Sequence, residues 1–272
     1  MWQSLLLLLA IPAGLWLFFL WFERANVFQP TRSWSVTGQA LGRPWDAVRF
    51  STRDNVELSG WYFPAAPDAP FADLAVLISH GNGGNISHRL SLYALLLDLG
   101  VHVFAYDYRG YGHSRGWPTE NGTYLDAEAA VDWLVQRGFP ENRIVAHGES
   151  LGGGVASELA RRRPELRGLI LRSTFTSIPD LGVELFPFLP VRTLSRLHYD
   201  TRARLPEIRV PLLILHSRSD TLVRFHHAEA NLAAARTPKW LREIHGDHND
   251  QPDASPTLYA NAITEFLRNT AP

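Results

Sequence analysis

Residues 143–154 read Arg-Ile-Val-Ala-His-Gly-Glu-Ser-Leu-Gly-Gly-Gly, an apolar run that breaks into Gly-x-Ser-x-Gly and then turns helical. The pattern describes a strand, a sharp elbow and a helix, with Ser150 at the apex. Such a turn lifts the serine Oγ clear of the backbone. The flanking Gly148 and Gly152 remove the Cβ atoms that would collide there. Ser150 is therefore a nucleophile candidate; the plainer alternative is a turn serine that caps a helix.

A strand that feeds directly into a helix is one half of a repeating unit, and the rest of the chain supplies more of them. Apolar strand-like runs recur at 74–79, 101–106, 144–147, 169–172, 212–216 and 240–245, with helical periodicity between them at about 87–97, 124–136, 155–163, 227–235 and 256–268. Two earlier β-like runs, 46–50 and 56–62, flank Thr52-Arg53-Asp54-Asn55, which is hairpin turn chemistry. This alternation predicts an α/β fold, a mostly parallel central sheet covered by helices on both faces. A chain of 272 residues with 46% hydrophobic content can bury that core within one domain. The expected organisation is an N-terminal helix over 1–25, a linker over 26–44 and a catalytic domain over 45–272, with a small cap at about 174–205.

The first residues carry their own expectation. Residues 4–22 contain no charge, and nineteen residues rising about 1.5 Å each span about 28 Å, close to the ~30 Å core of a bilayer. Trp2, Trp16 and Trp21 suit a membrane interface, and Pro12 and Gly14 are tolerated in a spanning helix. The expectation is a single-pass N-terminal membrane anchor, with the membrane as a partner. A cleaved signal peptide is the rival, although no lysine or arginine precedes the run and Ile11-Pro12-Ala13 is a poor cleavage site. Arg24 and Arg32 favour a cytoplasmic domain by the positive-inside count, whereas a signal-anchor would insert the other way.

Composition narrows the chemistry. Net charge is -1, with 26 basic and 27 acidic side chains, so there is no electrostatic footprint for nucleic acid. The chain has 0 cysteines, which excludes disulfides, thiolate metal sites and a cysteine nucleophile. Catalysis must come from Ser, His, Asp and Glu.

A serine at neutral pH needs a base, and the base needs an acid to fix its tautomer. In parallel sheets the loops at the carboxyl ends of the strands hold the ligand. After 212–216 comes Ser217-Arg218-Ser219-Asp220-Thr221-Leu222-Val223, and after 240–245 comes Gly246-Asp247-His248-Asn249-Asp250. Asp220 and His248 thus fall in post-strand loops on the edge that carries Ser150, in the order Ser, Asp, His expected for this elbow. His226, His227 and His245 are rival bases, and Asp247 and Asp250 are rival acids that lie too close to His248 to need a separate strand. Upstream, 74–79 ends in His80-Gly81-Asn82-Gly83-Gly84-Asn85, whose glycines free the backbone to aim N–H groups inward. The N–H groups of Asn82 and Leu151 are the expected oxyanion hole. The competing reading is an ordinary glycine-rich turn or a phosphate cradle, which lacks the Lys-Ser/Thr ending of a nucleotide loop. A metal at His245, Asp247, His248 and Asp250 would lack a recognisable ligand motif, so no metal or cofactor is implied.

Together with Asp107-Tyr108-Arg109-Gly110-Tyr111-Gly112-His113-Ser114 and Leu58-Ser59-Gly60-Trp61-Tyr62, these motifs make the chain resemble the membrane-associated α/β-hydrolase-domain family that includes protein depalmitoylases and lysophospholipases. The similarity runs from about Trp45 to the C-terminus and includes the apolar N-terminal segment. The resemblance implies an α/β-hydrolase fold with Ser150 as nucleophile, Asp220 as acid, His248 as base, and Asn82 and Leu151 as oxyanion donors. Two positions depart from the family: Ser217 stands where relatives usually carry glycine, and Arg224 replaces a usual proline. The apolar run Leu181-Gly182-Val183-Glu184-Leu185-Phe186-Pro187-Phe188-Leu189-Pro190-Val191 of the insertion between Thr174 and Leu205 either caps Ser150 and buries an acyl chain or simply packs on the sheet. Arg192, Arg196, Arg202 and Arg204 either meet a phosphate head group or solvate a helix. The expected function is hydrolysis of ester or thioester bonds of small-molecule or lipid-like acyl substrates through an acyl-enzyme. A peptidase, an acyltransferase and a non-catalytic binding protein are the alternatives.

Overall fold

The computed structural model describes residues 2–250 and 252–270, the side chains of 2–9 and 12 excepted. In chain order the elements are α1 (Trp2–Val27), β1 (Gln29–Pro30), β2 (Asp46–Ser51), β3 (Glu57–Phe63), β4 (Ala75–Ser79), β5 (Gly83–Gly84), α2 (Leu90–Leu99), β6 (His102–Tyr106), α3 (Glu120–Gln136), β7 (Ile144–Glu149) and α4 (Leu151–Arg162). They continue with β8 (Gly168–Arg172), three short helices α5 (Ile178–Leu185), α6 (Val191–Leu194) and α7 (Thr201–Arg204), then β9 (Leu212–Ser217), α8 (His226–Ala234), β10 (Lys239–Ile244) and α9 (Pro256–Asn269). The main sheet has eight strands in the order β10-β9-β8-β7-β4-β6-β3-β2. All neighbours are parallel except β2 with β3 and β3 with β6.

The strands are apolar throughout because both faces are covered. Successive side chains alternate between two cores: Ala75 and Leu77 of β4 face one, Val76 and Ile78 the other. Leu212 and Ile214 of β9 divide from Leu213 and Leu215 in the same way. Tyr124, Val131, Val155 and Leu159 of α3 and α4 close the first core, and Leu92, Leu96, Ile263 and Phe266 of α2 and α9 close the second.

Two helix starts differ from the sequence expectation. The helix expected from 87 begins at Leu90, because the Asn85 side chain accepts the Ser87 N–H and winds Ile86–His88 as a 3₁₀ turn first. α4 begins at Leu151, not 155, and takes in three consecutive glycines despite their low propensity. Close packing selects them: a Cβ on Gly152 would lie 2.0 Å from the Ser79 carbonyl oxygen, and one on Gly153 1.9 Å from Thr174 Oγ1.

The expected single-pass membrane anchor is overturned. Among the described residues, no helix is long and apolar enough to cross a membrane. The membrane partnership inferred through this segment falls with it. Residues 4–9 and Pro12 of the apolar run lie outside the described side chains. The physical reason is visible in the second half of α1, where Phe19, Glu23 and Val27 are buried against the domain. The residues expected as a linker lie along the same surface. β1 pairs in parallel with β5, and the Trp34 indole donates to Asp107 Oδ2 at 2.9 Å.

Candidate active site

The elbow between β7 and α4 holds Ser150 at φ 52 and ψ -114, a conformation L-residues rarely adopt and a mark of stored backbone strain. Gly148 permits it, since a Cβ there would sit 2.3 Å from the Gly152 carbonyl oxygen. The loops after β9 and β10 emerge on the same edge, because those strands run parallel to β7. The structure brings Ser150, His248 and Asp220 together. His248 Nε2 is 3.1 Å from Ser150 Oγ, and His248 Nδ1 is 2.8 Å from Asp220 Oδ2. With the Nδ1 proton donated to the carboxylate, the Nε2 lone pair is left for the serine hydroxyl.

Asp220 is fixed by its own loop, its Oδ1 accepting the N–H groups of Leu222 (3.1 Å) and Val223 (2.8 Å). Ser217, the departure from glycine, accepts the Ser219 N–H and braces the turn before it. Burial pushes the Asp220 carboxyl up, but the hydrogen bond and charge of His248 with the Val223 N–H hold it below its ordinary value of 3.8. A carboxylate depressed in the folded state adds stability above the unfolded value, and that contribution is lost as pH falls through the folded value. Thermal melts between pH 5 and pH 2 are therefore expected to fall more steeply for the wild type than for Asp220→Asn; parallel curves would contradict this.

Asp247, a rival acid by sequence, instead accepts from backbone N–H groups. Its Oδ1 accepts the N–H groups of both His248 and Thr221, each at 2.8 Å, and so joins the loop of the base to the loop of the acid. Under the elbow, Glu149 is clamped by Arg172 at 2.7 Å and Arg89 at 3.3 Å. Burial raises its carboxyl, and the two guanidinium groups more than offset this and hold it well below the usual carboxylate range.

Asn82 and Leu151, the expected oxyanion donors, line the same cavity as Ser150 and His248. The Asn82 loop is pinned from within: Tyr111 Oη donates to the Asn82 carbonyl at 2.8 Å, and His80 Nδ1–H donates to the Gly81 carbonyl at 2.7 Å. Burial drives the His80 imidazole down to about 3, so it stays neutral and fixes the loop. The cavity holds about 670 Å³. Its lining includes the elbow and an apolar part made of Phe175, Ile178, Leu181 and Phe186 with Phe19 and Phe22 of α1, alongside polar side chains such as Gln29, Asn82 and Arg89.

Comparison with known proteins decides the family. The chain is 32% identical over 276 residues to the α/β-hydrolase domain-containing protein WAV2 of Arabidopsis thaliana, covering 92% of this chain and 89% of that one. The chain belongs to the α/β-hydrolase family. Residues 71–203 match the Hydrolase_4 family, described as serine aminopeptidase, S33. An uncharacterized protein of Mycobacterium tuberculosis is 36% identical over 267 residues, 97% of this chain and 94% of its own. Among solved structures, an esterase of Pyrococcus furiosus superposes with a TM-score of 0.70 at 25% identity, covering 89% of this chain and 97% of that one. The protein is an α/β-hydrolase enzyme.

The rival histidines of this hydrolase have other partners or positions. His245 and His226 are exposed. Buried His227 accepts the Thr176 N–H at Nδ1 (3.1 Å), which puts its own proton on Nε2, facing Glu184 Oε1 at 3.1 Å. Glu184, His226 and His227 form a compact group among the described residues, with donor atoms within 4.8 Å of one another. That tautomer leaves no lone pair on His227 Nε2 for a metal, and Glu184 Oε1 bonds His226 Nε2 instead, at 2.9 Å. The arginines of the insertion are also engaged: Arg192 and Arg202 with Asp180, Arg204 with Glu120 and Glu158, and Arg196 over the Trp16 ring.

Proposed function

We propose that this hydrolase cleaves ester or thioester bonds of lipid-like acyl substrates through an acyl-enzyme on Ser150. The observation that carries this reading is the unbroken chain Ser150–His248–Asp220 opening into a cavity whose lining includes the apolar group Phe19, Phe22, Phe175, Ile178, Leu181 and Phe186. His248 Nε2 takes the Ser150 proton as Oγ attacks the acyl carbon. The Asn82 and Leu151 N–H groups receive the oxyanion, where one such donor is worth about 2.7–4 kcal/mol in the transition state. Collapse expels the alcohol or thiol with the proton from His248. Water, deprotonated by the same nitrogen, then frees the acid. The insertion over 174–205 acts as the cap, and its Phe175, Ile178 and Leu181 take the acyl chain.

The amide-cleaving alternative draws support from the description of the Hydrolase_4 family. Matched acyl esters, thioesters and anilides separate the two. Esters and thioesters are expected to exceed anilides by at least ~100-fold in kcat/KM, with each added methylene raising the value about fourfold until the pocket is full, as about 0.8 kcal/mol per buried methylene requires. Preference for aminoacyl anilides, or indifference to chain length, would overturn the lipid-like acyl assignment.

A further inference from the structure

We infer that the end of helix α1 is a substrate-selecting wall of the active site, with Phe22 setting how long an acyl chain the cavity accepts. This rests on the acyl-enzyme reading above. Phe19 and Phe22 line the cavity that holds Ser150 and His248, and the Phe22 ring meets Phe186 of the insertion edge-on, with centroids 5.1 Å apart at 76°. The two phenylalanines thus meet at the cavity wall, one from α1 and one from the turn between α5 and α6.

The helix is latched in this position. Glu23 is 8% exposed, and its carboxylate accepts the Ser195 hydroxyl and the N–H groups of Arg196 (3.1 Å) and Leu197 (3.2 Å). Burying a carboxylate costs free energy unless it is fully hydrogen-bonded, so this contact specifies one docking position of α1. Arg24 adds a bond to the Pro118 carbonyl at 2.7 Å. The buried positions 19, 23 and 27 recur every four residues, while Phe18 and Trp21 on the other face are 58% and 63% exposed.

The chain that leaves the helix then holds the expected oxyanion loop. Gln29 N–H donates to the Asn82 carbonyl and Thr31 N–H to the Gly84 carbonyl, both at 3.1 Å. Asn85 Nδ2 returns a bond to the Thr31 carbonyl at 2.9 Å. Helix and strap thus bracket Ser150, one at the acyl side and one at the oxyanion side. A leader with no part in the chemistry would not need a buried carboxylate latch to the insertion.

Opposite substitutions at one position provide the test. Phe22→Ala, Phe22→Trp and the wild type, all as full chains, are treated with alkyl fluorophosphonates from butyl to dodecyl, and the capture rate at Ser150 is read by intact mass. The dodecyl-to-butyl rate ratio is expected to rise about tenfold in Phe22→Ala and fall about tenfold in Phe22→Trp, the size of discrimination that small changes in an apolar pocket produce. A purely structural role would move both ratios the same way or neither. Ratios within twofold of wild type in both variants overturn the inference alone. A wild type captured by none of the probes fails the acyl-enzyme reading and takes the inference with it.

Discussion

Ser150→Ala is expected to lower ester turnover by about a million-fold while the thermal midpoint moves by only a few degrees, because the change removes the attacking oxygen and keeps the Cβ that the strained elbow already accommodates. His248→Ala is expected to cost about as much, and the double substitution no more than either alone, since nucleophile and base act as one unit. Steady-state rates on a short-chain ester, with melts as the control for folding, check all three. Rates that multiply in the double variant would mean that the 3.1 Å contact between Ser150 and His248 is not used in the reaction.

The largest expected effect on stability lies beneath the nucleophile, not at it. Glu149→Ala leaves the buried Arg172 and the half-buried Arg89 without the carboxylate that lies 2.7 Å and 3.3 Å from them. Removing one partner of a buried ion pair costs about 3–5 kcal/mol. For a chain of this size that is a fall in melting temperature of roughly 10 °C. Arg172→Met in the Glu149→Ala background is expected to recover part of the loss, because it removes one of the two positive charges that the carboxylate had offset, whereas Arg172→Met alone leaves Glu149 the longer 3.3 Å contact with Arg89. Urea unfolding of the four proteins gives the coupling directly. Additive losses would show that Glu149 and Arg172 do not depend on each other. The pair also explains why the residue before the nucleophile is acidic: it ties the end of β7 to the end of β8 and to the Arg89 segment that follows the oxyanion loop.

Features encoded within one stretch of chain could be read from the sequence. The elbow was legible because Gly148 and Gly152 answer local collisions that any such turn creates. The sheet was legible because its strands are apolar on both faces, and Asp220 and His248 because parallel strands send their following loops to one edge. What the sequence concealed depends on partners far along the chain. An uncharged run does not tell which of its residues pack on the domain: Phe19 is buried there, while Phe18 and Trp21 are exposed. The telling residue of α1 was Glu23, whose partners Ser195, Arg196 and Leu197 lie in the insertion some 170 positions away. The bracing contact of Asp247 was hidden for the same reason, since Thr221 comes 26 residues earlier. The insertion arginines suggested a head-group site, yet Asp180, Glu120 and Glu158 already face three of them. The glycines at the start of α4 misplaced the helix boundary, because propensity records the isolated chain and not the close approach of α4 to β4.

The most direct test of the central claim is mass-spectrometric mapping of the adduct formed by a fluorophosphonate on the folded full chain, with Ser150→Ala beside it. The predicted result is one adduct, on Ser150, absent from the alanine variant. A folded wild type that forms no adduct, or an alanine variant that is still labelled, would contradict the assignment of Ser150 as an activated nucleophile.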